Sequence, residues 1–157
     1  MTPLNPALDL ELTRLFKAPP EKVWRCWTEP ALLMQWFAPK PVTTTEAILD
    51  LRAGGRFFTK MVLPDGSEHP NEGSFLEVIP NQKLAFTDLF SADWAPVAAP
   101  GLGFSATLTF APEGGGTRYT ARARHRTAEE AQKHADMGFH EGWGAASAQL
   151  DALSQTL

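Results

Sequence analysis

The chain has one cysteine and one tyrosine in 157 residues, no excess of positive charge and no long apolar run. A lone thiol excludes an intramolecular disulfide and fits a reducing compartment. A net charge of −4 leaves no basic footprint for nucleic acid. No stretch approaches the ~20 apolar residues of a membrane span, and the N-terminus lacks a basic segment followed by an apolar core. The expectation is a soluble cytoplasmic protein that binds no nucleic acid and needs neither cofactor nor metal. What the chain does hold is aromatic bulk, ten Phe and five Trp, enough for a large apolar interior. Its length is that of a single domain, 1–157, with 1–7 as a loose tail, and such a chain buries roughly two thirds of its unfolded surface unaided.

Leu8, Leu10 and Leu12 alternate with Asp9, Glu11 and Thr13 and the pattern runs on to Phe16, as in a half-buried strand. Ala18-Pro19-Pro20 stops it. Val23, Trp24 and Trp27 then fall at helical spacing, and Pro30 followed by Leu32, Leu33, Trp36 and Phe37 opens a second short helix that Pro39 ends. From Thr43 to Arg126 turn signals separate short β-branched and aromatic runs. They include Gly54-Gly55, Pro64-Asp65-Gly66, Pro80-Asn81 and Glu113-Gly114-Gly115-Gly116. Strands are expected near 44–51, 55–63, 72–79, 83–90, 104–111 and 117–126. With the first, that makes seven in one antiparallel sheet. In the last strand Tyr119, Ala121, Ala123 and His125 share the inward face, while Arg118, Arg122, Arg124 and Arg126 share a solvated one. The stretch 91–103 has no period, holds Trp94, and reads as a binding loop with Trp94 as its gate.

Thr127 followed by Glu130 makes a capping box at the start of a helix expected to run to the C-terminus. Ala131, Ala135, Gly138, Phe139, Gly142, Trp143, Ala146, Leu150 and Leu153 form one apolar stripe along it. Two glycines inside a helix cost about 1 kcal/mol each against alanine. Gly138 and Gly142 therefore mark either a kink or the close approach of a ligand or another chain segment, beside Met137, Phe139 and Trp143.

The run Arg14-Leu15-Phe16-Lys17-Ala18-Pro19-Pro20-Glu21-Lys22-Val23-Trp24, Pro30 with Trp36, Arg52-Ala53-Gly54-Gly55-Arg56-Phe57, Gly73-Ser74-Phe75-Leu76-Glu77-Val78, Gly115-Gly116-Thr117 and Gly138-Phe139-His140-Glu141-Gly142-Trp143 occur in this order. Together they resemble the START-like (SRPBCC) superfamily, in the branch named after the C-terminal domain of the activator of the heat-shock-protein ATPase. The resemblance implies an α+β helix-grip fold: a curved seven-stranded antiparallel sheet around a long C-terminal helix, with two short helices after strand 1. It further implies a cavity between sheet and helix for lipids, hormones, polyketides or other apolar molecules. The co-chaperone that names the branch also uses a separate N-terminal domain, for which 157 residues leave no room.

Binding of a small apolar molecule, lipid-like or aromatic, is therefore the first functional expectation. The candidate wall comprises Trp36, Phe57, Phe86, Trp94, Phe104, Tyr119, His125, Met137, Gly138, Phe139, Gly142 and Trp143. His134 and His140 lie six residues apart, roughly 240° around a helix, so they do not share a face as metal ligands would. His134 reads as an exposed surface residue, and His125 as a polar group inside the cavity. Arg14 and Glu77 read as a buried ion pair. Cys26, between Trp24 and Trp27, reads as a packed thiol. No nucleophile-and-base or paired-carboxylate pattern is visible, so no residue is assigned a catalytic role and the balance leans away from an enzyme. The alternatives are a cyclase- or hydrolase-like enzyme in which His125 or His140 moves a proton, and a protein-interaction or chaperone-regulator module. A homodimer stays open.

Overall fold

The computed structural model describes residues 2–157; Met1, the first residue of the expected tail, lies outside them. Strand β1 (Asp9–Phe16) leads into two short helices, α1 (Pro20–Thr28) and α2 (Pro30–Leu33), each opened by a proline at its first position. That proline gives up an N–H that no helix could use there. Strands β2 (Thr43–Leu49), β3 (Arg56–Val62), β4 (Glu68–Ile79) and β5 (Lys83–Thr87) follow. A two-residue hairpin, β6 (Phe90–Ser91) and β7 (Ala95–Pro96), interrupts the series before β8 (Phe104–Glu113) and β9 (Gly116–His125).

The main sheet has seven strands in the order β1-β9-β8-β5-β4-β3-β2, every neighbour antiparallel. Its longest hairpin, β8–β9, pairs Glu113 with Gly116 across Gly114 and Gly115. Both glycines have positive φ, 57° and 81°, which is what a two-residue primed turn demands. Register shifts between Thr44 and Glu46 and between Phe75 and Glu77 bend the sheet as bulges do, giving a concave face. Strand β4 begins at Glu68, earlier than the alternation from 72 suggested, because Glu68 to Asn71 carry little apolar signal yet pair with Thr59 to Val62.

The long C-terminal helix is two helices. α3 (Ala128–Asp136) and α4 (Phe139–Ser154) meet at Gly138, whose φ of 92° no helix interior contains. At Gly138 the glycine marks a break in the helix. Gly142 is an ordinary helical residue within α4. The capping box is half formed: Thr127 Oγ1 accepts the Glu130 N–H at 3.1 Å, but the Glu130 carboxylate turns to Arg126 at 3.0 Å.

The core lies between the concave sheet face and the helices, with Val23, Cys26, Trp27, Leu33, Phe75, Leu84, Leu108, Ala121, Phe139 and Leu150 almost wholly buried. The arginine row on β9 does face outward, though it is paired rather than simply solvated. Arg122 is buried, held by Glu11 at 2.7 Å and by the Thr2 carbonyl at 2.5 Å, and Arg124 meets the buried Asp9 at 3.3 Å. The expected Arg14–Glu77 pair does not form. Arg14 is exposed and donates to the Thr13 carbonyl, while Glu77 meets Lys83 at 2.8 Å across the β4–β5 turn.

Candidate functional site

The helices do not fill the concave face. Gly142, Ala146 and Ser147 turn a small-residue side of α4 toward the sheet, and opposite them stand Phe57, Thr59, Phe86, Phe104 and Tyr119. The gap is an open-sided, mainly apolar cavity of about 700 Å³. Its aromatic walls brace one another: Phe57 meets Phe86 edge-on at 4.8 Å and stacks on Phe75 at 4.9 Å, and Trp27 meets Trp36 edge-on at 4.8 Å. The Trp36 indole donates to the Cys26 carbonyl at 2.9 Å. Gln149 on α4 donates to the carbonyls of Trp36 and Ala38 at 2.9 and 2.8 Å and accepts from the Lys40 N–H at 3.0 Å. These bonds fix the 36–40 loop to α4, so this wall is set by polar ties outside the cavity.

Ten of the residues expected at the wall are there: Trp36, Phe57, Phe86, Phe104, Tyr119, Met137, Gly138, Phe139, Gly142 and Trp143. Met137 stands exposed at the rim, and Gly138 forms the corner between α3 and α4. Burial in this setting pushes the Tyr119 hydroxyl far above its ordinary pKa, the neighbouring Trp27 indole pulling slightly the other way.

Trp94 and His125 are not on the wall. A short helical turn (Ala92–Trp94) carries Trp94 over the 50–55 turn, where its indole would lie 2.8 Å from a Cβ at Gly54. The Asp93 N–H bonds the Gly54 carbonyl at 2.7 Å, and Arg52 holds the Asp93 carboxylate at 2.9 Å. Trp94 is thus a clasp on the β2–β3 connection, not a gate. The rest of the loop does edge the cavity through Val97, Ala99, Pro100, Gly101 and Leu102. Asp88 anchors it by accepting the N–H groups of Leu102, Gly103 and Phe104 at 2.7 to 3.0 Å.

His125 sits one layer behind the wall, and the histidine that reaches the cavity is His134. Both are about 6% exposed, which corrects the surface placement expected for His134. His125 Nδ1 lies 2.8 Å from the Leu8 carbonyl and its Nε2 lies 2.9 Å from His134 Nδ1. The His134 ring packs edge-on against Phe104 at 5.4 Å and Phe139 at 5.2 Å. Burial and the adjacent His125 lower the His134 pKa to about 4, against a small opposing pull from Asp88. His140 is exposed on α4.

Sequence reasoning missed His134, Asp88 and Ser147, while the expected binding loop 91–103 does edge the cavity through 97–102. The spacing of Ala131 and His134, three apart on α3, was an available signal for an inward His134; Asp88 lay in a strand end that periodicity extended to 90. Chemically the cavity offers apolar surface with a few polar groups and no activated nucleophile. The Cys26 thiol is sealed in the core, its pKa pushed up to about 11 by burial, as befits a packed residue.

The family profile described as activator of Hsp90 ATPase homolog 1-like protein matches residues 17–155. Among solved structures the chain is similar to protein NE0264 from Nitrosomonas europaea, with 40% identity over 98% of this chain and 97% of that one and a TM-score of 0.93. It is also similar to protein Ms6760 from Mycobacterium smegmatis, with 31% identity over 94% and 90% of the two chains and a TM-score of 0.77. A protein from Arthrobacter aurescens aligns at 30% identity over 96% and 88%, with a TM-score of 0.79. Comparison with curated proteins finds no match.

Proposed function

Because the chain belongs to the family of activator of Hsp90 ATPase homolog 1-like proteins, whose fold commonly holds hydrophobic ligands, we propose that it binds a small, largely apolar molecule between the sheet and the C-terminal helices. The observation that carries this reading is the unfilled volume of about 700 Å³ behind aromatic walls. Protein interiors pack as densely as organic crystals, and lost contacts around a void destabilise the fold. A gap of this size, lined by rings that could have collapsed onto α4, is therefore better explained as a site than as slack. Its dimensions suit a fused aromatic or a medium acyl chain.

The test is direct binding to the purified protein. Native mass spectrometry and displacement of an environment-sensitive naphthalene dye should reveal occupancy in the wild type. Gly142→Leu should remove it, because the new side chain projects from α4 where the nearest atom to a Cβ, Pro39 Cγ, is 3.9 Å away. A wild type that takes up no apolar probe, or a folded Gly142→Leu that binds as well as wild type, overturns the proposal.

A further inference from the structure

A carbonyl oxygen can only accept a hydrogen bond. Because the Leu8 carbonyl lies 2.8 Å from His125 Nδ1, that nitrogen carries a proton, and in the neutral ring His125 Nε2 is then a bare acceptor. Its partner at 2.9 Å, His134 Nδ1, must therefore be the donor. The neutral His134 ring is left with its lone pair on Nε2, which has no hydrogen-bond partner among the described residues and belongs to a side chain of the cavity wall. A backbone carbonyl on β1's approach thus sets, through two imidazoles, the polarity of one atom of a cavity-lining side chain.

We infer that His134 Nε2 is the acceptor for a hydroxyl or N–H group on the ligand, so that the cavity selects apolar molecules bearing a hydrogen-bond donor at the end that reaches Phe104 and Phe139. This rests on the cavity being a binding site. The other polar groups nearby do not make the same choice. Trp27 Nε1–H, buried on the same wall without a partner among the described residues, is a fixed donor and would meet an acceptor elsewhere on the ligand. Asp88 spends its carboxylate on three backbone N–H groups, and Thr87 Oγ1 donates to the Phe104 carbonyl and accepts from the Leu89 N–H. The hydroxyls of Tyr119 and Ser147 can turn either way and so do not tell a donor from an acceptor. The depressed pKa of His134 keeps it neutral, hence accepting, through the physiological range. A ligand acceptor placed against Nε2 would leave two lone pairs facing each other in an apolar site, a penalty water cannot relieve.

The test uses a matched pair of probes, 2-naphthol and 2-methoxynaphthalene, in which a methyl group replaces the donating O–H hydrogen. The ratio of their affinities should shift against 2-naphthol by roughly three- to tenfold in His134→Phe, the scale of one net hydrogen bond, while 2-methoxynaphthalene stays bound. Binding of both probes with a ratio equal in wild type and variant overturns donor recognition and leaves the cavity reading standing. Binding of neither probe to wild type overturns both. Should His134→Phe fail to fold, the imidazole nitrogen spectrum of the wild-type protein decides. A proton on His134 Nδ1 and a bare Nε2 that responds to 2-naphthol but not to its methyl ether are expected. A proton on Nε2 in the free protein, or equal response to both probes, overturns the inference.

Discussion

Gly138 and Gly142 look alike in the sequence, one turn apart, but alanine at the two positions should act with opposite sign. Gly142 lies within α4 with helical backbone and room for a methyl group, the nearest atom to a Cβ being 3.9 Å away. Replacing it by alanine removes the backbone freedom that glycine must surrender, and stabilises the fold by about 0.5–1 kcal/mol. At Gly138 a Cβ also meets nothing closer than 3.6 Å, so packing is not at issue. Its φ of 92° is, and an L-residue held on that side costs roughly 1–2 kcal/mol. For a domain of this size about 1 kcal/mol moves Tm by roughly 2–4 °C. Calorimetry of the ligand-free protein should therefore place Gly142→Ala above wild type and Gly138→Ala below it. Two stabilised variants would refute the break between α3 and α4, because a continuous helix rewards alanine at both positions.

The pH dependence of stability should carry the signature of His134. Its pKa is about 4 in the folded protein against 6.5 when unfolded, so below pH 6.5 the unfolded chain takes a proton that the folded one refuses. Its contribution is complete above that pH and is lost progressively down to pH 4, by up to about 3 kcal/mol; His125 and Asp88, the titratable groups beside it, stay in place. Urea midpoints measured from pH 7 to 4 should fall less steeply for His134→Phe than for wild type, and parallel curves would sink this account. Asp88→Ala should cost about 2–3 kcal/mol, since three N–H groups lose a charged acceptor; amide exchange at Leu102, Gly103 and Phe104 that stays slow would contradict it. Trp94→Ala should loosen the 50–55 turn and lower Tm without changing uptake of a naphthalene dye, whereas loss of dye binding would restore Trp94 to the cavity mouth.

What could be read in advance divides by range. Alternation along Tyr119, Ala121, Ala123 and His125, and the turn at Gly114-Gly115, depend on neighbours in the chain, and these gave the sheet, its count of strands and the inward face of β9. Phe57, Phe104 and Tyr119 of the aromatic wall follow from strand alternation, and Trp36, Phe139 and Trp143 from helical spacing. Trp94 escaped because its partner, Gly54, is brought to it only by the folded sheet. The extension of β4 to Glu68 escaped because pairing with β3, not its own polar residues, holds it in the sheet. The Arg14–Glu77 pair failed for a related reason: strand parity limits which face a charge takes, but not which of several opposite charges is within reach.

The two misread histidines have different causes. His134 lies three residues after Ala131 and four before Gly138, in phase with the apolar stripe, and is passed over only because the stripe counts apolar residues. The buried face of α3 runs through Ala131 and His134, with Ala135 half-buried, while His125, inward on β9 as its alternation requires, is kept behind the wall by its contact with His134. His134 thereby gains the place at the wall that His125 was expected to hold, and His125 becomes the group that orients it. Apolar walls supply affinity in proportion to area but little preference among molecules of similar size. In a cavity built this way, orientation and selectivity come from fixed polar groups, among them the buried Trp27 Nε1–H, unpartnered among the described residues, and the His134 lone pair, whose direction is set by a backbone carbonyl that no ligand touches.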